Sequence, residues 1–143
     1  MIVINIPLDP VSWSAPRLSR GRCYDPREAD KRAIRWLIKQ QYDAEPIQGY
    51  VSLFFQFVFK CPESASKKRK ISMLNGDIIP TKGDCTNYQK LYEDCLKKIV
   101  IDDDRNVEVI GSRKLYGDKG NVSIIILNRD EYDYKLAYNT CKL

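Results

Sequence analysis

The sequence predicts an α+β fold, two helices packed on one mixed β-sheet, and three observations carry that expectation. Apolar residues alternate with period two in "IVINIPL" (2–8) and in "GYVSLFFQFVFK" (49–60), as they do in strands whose successive side chains face opposite ways. They recur at helical spacing in 25–42 and 86–98, which marks two amphipathic helices. Two further strand-like runs, "NVEVIGSRKLYG" (106–117) and "NVSIIILNR" (121–129), meet at a "GDKG" turn and read as a hairpin. The order is strand, helix, strand, helix, strand, strand. A chain of 143 residues is long enough for one compact domain, 1–143, with its own core.

Each element has a local cause. Residues 9–24, "DPVSWSAPRLSRGRCY", are broken by prolines and a glycine and read as a long loop with at most a short extended piece. Asp25-Pro26-Arg27-Glu28 starts the first helix: the aspartate caps, the proline suits the first position, and Glu28 completes a capping box. Ala33, Trp36, Leu37 and Gln40 share the face expected to be buried. In 49–60, Val51, Leu53, Phe55, Phe57 and Phe59 line up on one face, the expected core side. Residues 61–83, rich in serine and lysine, are expected to form a basic loop, mobile when unbound. The second helix should bury Tyr88, Leu91, Tyr92, Cys95, Leu96 and Ile99. A charged, tyrosine-rich tail occupies 130–143. No internal repeat is visible.

Composition removes several kinds of chemistry. The five cysteines (23, 61, 85, 95 and 141) form no C-x-x-C pair, and there is no histidine. A Cys/His zinc centre is therefore improbable, and a Ser-His-Asp or Cys-His apparatus is excluded. Acid–base or metal work falls to carboxylates, lysines and tyrosines. No apolar run approaches the roughly 20 residues of a membrane span, and the start lacks a basic secretory leader. A soluble, cytoplasmic protein with free cysteines is expected. The net charge of +5 favours a polyanionic partner only weakly.

The stretch "GDCTNYQKLYEDCLKKIVIDDDRNV" (83–107) carries the most information. Asp84 stands just before the second helix, Lys90 one turn inside it, and Asp102, Asp103 and Asp104 follow it. Adjacent like charges repel unless a cation, a basic partner or water relieves them. If the chain returned through a βαβ-type connection, the aspartate run would travel along a strand back to the Asp84 end. The gathered carboxylates would then suit magnesium, which takes oxygen ligands. A plainer reading stays open beside this one. Asp84 caps the helix, Thr86 and Gln89 form a capping box, Lys90 pairs with Asp94 at i, i+4, and the aspartates are a solvated turn.

Asp84-x-x-Asn87-x-x-Lys90-x-x-x-Asp94-x-Leu96, followed by Val100-Ile101-x-Asp103-Asp104-x-x-Val107, resembles the signature of the RusA family of Holliday junction resolvases. The match is close over about 25 residues and follows the rest of the chain in outline. The resemblance implies a magnesium-dependent endodeoxyribonuclease, with manganese as a substitute ion, acting on four-way DNA as a homodimer. It implies that Asp84, Lys90 and Asp104 are catalytic, and that Asp84, Asp104 and Asp103 bind the metal. It also implies an intracellular protein encoded by a bacterium or phage, with no membrane and no small-molecule cofactor. One position departs: the family's second aspartate, two after the first, is Thr86 here. Its neutral hydroxyl is a weaker ligand, and three outcomes stay open: weaker metal affinity, a shifted metal preference, or a non-catalytic branched-DNA-binding protein, with Asp102 or Asp94 as candidate compensating ligands.

Bare carboxylates repel phosphates, so a nuclease of this kind needs cations beside them. Lys67, Lys68, Arg69 and Lys70 precede the motif, and Arg17, Arg20 and Arg22 lie near the N-terminus; both groups are candidate DNA contacts. Phosphate contacts of this kind position a nucleic acid without reading its sequence, which suits recognition of a junction by shape.

Overall fold

The computed structural model describes residues 1–128; the tail expected over 130–143 lies outside them. The main sheet contains β1 (Ile2–Ile6), β4 (Val51–Lys60), β5 (Val107–Gly117) and β6 (Asn121–Asn128). Its spatial order is β1-β6-β4-β5, with β5 parallel to β4 and β6 antiparallel to both β4 and β1. A separate two-stranded ribbon, β2 (Arg17–Ser19) with β3 (Arg22–Tyr24), arises from the segment expected to be a loop. The helices are α1 (Glu28–Gln41), α2 (Lys67–Leu74) and α3 (Cys85–Leu96). The α+β class and the mixed sheet hold, with a third helix added.

The core lies between one face of the sheet and the α1–α3 pair. Val51, Leu53, Phe55 and Phe57 of β4 are buried, as the alternation requires, against Ile4, Ile6, Val122, Ile124 and Ile126 of the neighbouring strands. From α3 come Tyr88, Leu91, Tyr92, Cys95 and Leu96. Phe57 contacts both Tyr88 and Tyr92, ring to ring. Truncating such a residue costs about 3–5 kcal/mol, because the cavity left behind does not close. The Cys95 thiol sits in this layer, and burial pushes its pKa up to about 12, so it is a packing residue and not a nucleophile.

Three expectations are corrected. The final two strands are not a hairpin with one another: β4 lies between them, hydrogen-bonded on both edges. The most apolar strand takes the central position, where both neighbours cover it, and residues 118–120 cross over its end. The glycines that looked like turn residues serve that crossing. A Cβ on Gly117 would stand 2.6 Å from Val58, and one on Gly120 would run into Asp9.

The buried face of α1 is Lys31, Ile34 and Ile38, not the stripe containing Ala33, Trp36 and Gln40; Trp36 is 61% exposed. The helix packs on both α3 and β1, and Ile34 with Ile38 supplies branched apolar groups one turn apart for those contacts. The segment 61–83, expected to be a loop, contains α2. Ser66 caps it by accepting from the Arg69 N–H at 3.3 Å, and Met73 anchors it against the rest of the molecule.

A register shift in the β4–β5 pairing decides which side chains face α3. Leu53 pairs with Val109 but Phe54 pairs with Gly111, so Ile110 is an extra residue. A one-residue bulge flips the strand beyond it. Ser112, Lys114 and Tyr116 consequently share the side of Phe55, Phe57 and Phe59.

Candidate active site

α3 is the spine of the candidate site, and its two ends differ. At the N-terminal end, Asp84 is the cap residue in extended conformation, yet its carboxylate makes no capping bond. It is exposed and has no side-chain partner among the described residues. Its backbone carbonyl accepts from the N–H groups of Asn87 and Tyr88 instead. Gly83, at φ +66°, precedes it; a Cβ there would come within 2.9 Å of the Tyr88 ring. Only glycine lets the chain enter the helix this close to a buried tyrosine.

Thr86, the second residue of α3, is exposed. The Thr86–Gln89 capping box does not form, since Gln89 Nε2 donates to Ser112 Oγ at 2.6 Å. The Lys90–Asp94 pair does not form either. The Lys90 ammonium lies 3.6 Å from the centroid of the Trp13 ring, where the negative face of the indole attracts it. Trp13 is fixed in turn: its backbone N–H donates to the Asn87 carbonyl at 3.0 Å, and the Val11 backbone N–H donates to the Tyr92 hydroxyl at 3.2 Å. Asp94 goes to Lys31 of α1, which also binds Asp25 at 2.9 Å. Burial works against the charge on Lys31, but the two carboxylates outweigh it and hold its pKa above the usual lysine value. Asp94 is thereby a structural acid that ties α3 to α1.

At the C-terminal end every aspartate of the run has its own cation. Asp102 pairs with Lys98 at 2.8 Å, Asp103 with Arg105 at 2.7 Å, and Asp104 with Lys97 at 3.0 Å. The Arg105 side chain and N–H hold the Asp103 carboxyl well below the usual carboxylate range. Half-buried Glu93 faces the opposite pressure: burial, then the Asp94 and Asp104 charges, push its pKa up.

The βαβ return exists, since β5 runs parallel to β4 beyond α3. It does not carry the aspartates with it. Asp102 to Asp104 precede the strand and stay beside Lys97, the residue that closes α3. The strand brings Lys114 to the Asp84 end instead, where its Nζ donates to the Gly83 carbonyl at 2.8 Å. Asp84 and Lys97 flank the 12 residues of α3 and so lie about 20 Å apart. Among the described residues no group of three or more Asp, Glu, Cys or His side chains is placed to hold a metal ion. The oxygen donors have the hardness that magnesium wants, but within one chain they are divided between two ends, and three of them are engaged by cations. The residues of a single chain therefore do not form a magnesium site as they stand.

The candidate DNA contacts occupy two separate elements. Arg17, Arg20 and Arg22 lie on the β2–β3 ribbon and are all exposed. Lys67, Lys68, Arg69 and Lys70 form the first turns of α2. Cations at a helix N-terminus oppose the helix dipole, so helix stability does not explain their position. Lys31, Glu93 and Lys114 carry no sign of their roles along the chain, and Trp13, beside the N-terminal arginines, reads from the sequence as a packing residue before a base-stacker. No spacing signal marks Trp13 or Lys31, and Lys114 faces the site only because of the bulge at Ile110.

A protein-family model described as "Endodeoxyribonuclease RusA" matches residues 7–127. None of the curated proteins matches the chain.

Proposed function

The chain belongs to the RusA family of endodeoxyribonucleases, enzymes of Holliday junction resolution in DNA recombination and repair, and from that premise we propose that it resolves four-way DNA by paired symmetric nicking, as a homodimer dependent on magnesium or manganese. The observation that carries the proposal is the exposed Asp84 carboxylate at the head of α3, without a side-chain partner among the described residues, with Lys114 held on the adjacent Gly83 carbonyl. A carboxylate at a helix N-terminus that makes no capping bond stays available to a ligand. In this reading Asp84 and Asp104 are the catalytic carboxylates and Asp103 and Thr86 assist them. Lys90 stabilises charge developing on the phosphodiester.

A metal ion bound by this set would supply an activated water. One intact helix cannot bring its own ends together, so binding requires the Asp103–Asp104 end of a second chain to come beside the Asp84 end of the first, which is the role this reading gives the homodimer. Lys67, Lys68, Arg69 and Lys70 with Arg17, Arg20 and Arg22 would hold phosphates, giving an affinity that falls steeply with salt. A cytoplasmic location belongs to the same proposal; among the described residues no helix is long and apolar enough to cross a membrane.

The test is a labelled four-way junction incubated with the protein and magnesium or manganese. Paired symmetric nicks that vanish in Asp84→Asn support the resolvase. Binding without nicks in either metal overturns it in favour of a non-catalytic branched-DNA-binding protein. Thr86 in an acid's place, and the cation held by each aspartate of the run, favour that second reading.

A further inference from the structure

The β2–β3 ribbon stands away from the core: all residues of 15–24 are exposed. Arg17 pairs across it with Tyr24, Leu18 with Cys23, and Ser19 with Arg22. Leu18 and Cys23 therefore share one face, and Arg17, Ser19, Arg22 and Tyr24 the other. Arg20 and Gly21 make the turn, both at positive φ, 49° and 73°.

Three features call for a partner. Leu18 is 76% exposed. A single exposed leucine is ordinary on a protein surface, but this one sits on a ribbon with no core beneath it. Secondly, Arg17, Arg20 and Arg22 have no ion pair or hydrogen bond from their side chains among the described residues, whereas Arg27, Arg35 and Arg105 each hold a carboxylate. Thirdly, the tip places an arginine at a left-handed position where Asn, Asp or Gly is normal. That backbone strain keeps a guanidinium at the outermost point of the ribbon. An apolar side chain on one face, with unpaired guanidiniums at the tip and on the opposite face, matches a ribbon lying between partly unstacked bases on one side and phosphates on the other. A duplex end or uniform duplex offers the phosphates without the gap; the crossover of a four-way junction offers both.

We propose that the β2–β3 ribbon reads the branch point, with Leu18 entering the gap between bases at the crossover while Arg17, Arg20 and Arg22 grip the converging phosphates. The inference rests on the reading of this chain as a junction-binding protein. The root of the ribbon supports it: Trp13, just before β2, docks on α3 and carries Lys90 on its ring. The ribbon is thus anchored beside the Asp84 end of the candidate site.

Cys23, free, exposed and on the Leu18 face, allows a direct test. In an Asp84→Asn chain with Cys85 and Cys141 changed to serine, junctions carry a disulfide-reactive tether on a base either at the crossover or one helical turn along an arm. The proposal expects Cys23 to cross-link mainly to the crossover base. Equal cross-linking at the two places overturns it, and so does a predominant Cys23–Cys23 link between chains, which would make the ribbon a subunit contact.

A second variant needs no thiol chemistry. Leu18→Ala should lower junction affinity roughly fivefold to tenfold, leave duplex affinity in place, and abolish the fluorescence rise of a 2-aminopurine at the crossover. Leu18→Phe should keep that rise. An unchanged rise in Leu18→Ala overturns the inference while leaving the nuclease reading intact. A chain that binds no junction at all removes both.

Discussion

The two ends of α3 carry the same kind of group in opposite states. At Asp84 a carboxylate stands free, with Lys90 diverted to Trp13 and Lys114 to a backbone carbonyl. Past the other end, Asp102, Asp103 and Asp104 are neutralised by Lys98, Arg105 and Lys97. The contrast shows that the members of one sequence motif can belong to different electrostatic neighbourhoods. One end has an acid available to a ligand. The other has acids that must exchange one cation for another before they can serve.

The largest effect should come from removing the free acid. Asp84→Asn is expected to lower junction cleavage by at least about 100-fold, with junction binding retained in a gel-shift assay. Asp104→Asn sharpens the comparison. An equal loss means both ends act on one phosphodiester, and unimpaired cleavage by Asp104→Asn would show that the ends are functionally separate.

Lys90→Ala should cost about 100-fold in cleavage rate without a matching loss of binding. Lys31→Met addresses stability instead. It strands Asp25 and Asp94 and should destabilise the fold by about 1–3 kcal/mol, less than for a fully buried pair because both carboxylates are partly exposed; urea denaturation measures it. Trp13→Leu should lower cleavage roughly twofold to fivefold, the worth of an exposed cation–π contact, and Trp13→Phe should recover most of that. Ring-current shifts of the Lys90 methylenes, lost in Trp13→Leu, would separate positioning from general damage.

The smallest effect concerns pH. Burial, with the Asp94 and Asp104 charges, raises the Glu93 pKa. The folded chain holds that proton to higher pH than the unfolded chain does, so Glu93 weakens the fold as pH climbs from the ordinary glutamate range through the raised value. Glu93→Gln should match the parent Tm in acid and exceed it modestly at neutral pH. Asp103 has the opposite sign. Arg105 lowers its pKa, so its contribution is present above the ordinary aspartate range and fades on acidification. An Arg105→Ala chain should lose that acid sensitivity; if the Tm–pH curve is unchanged, the two acids are not in the contrasting states described.

Much of this molecule is legible along the chain. Period-two alternation in 49–60 identifies the central strand and its buried face, and the Tyr88–Leu96 stripe identifies the core side of α3. The motif from Asp84 to Val107 points to the family that the match over 7–127 bears out. The first two features repeat every second residue or every turn, and the motif is confined to one short stretch, so each can be read from a single segment.

What stays hidden along the chain is whatever depends on a neighbour from elsewhere. Whether 106–117 pairs with 121–129 or with 49–60 is a competition among three apolar strands, and the strand able to bury most surface takes the middle. Which side of β5 faces α3 turns on the single extra residue Ile110. Where Lys90 and Asp94 go is set by Trp13 and Lys31, tens of residues away. Periodic burial is a property of one segment and can be read from it; partner choice is a property of a whole packed chain and appears only once that chain is assembled.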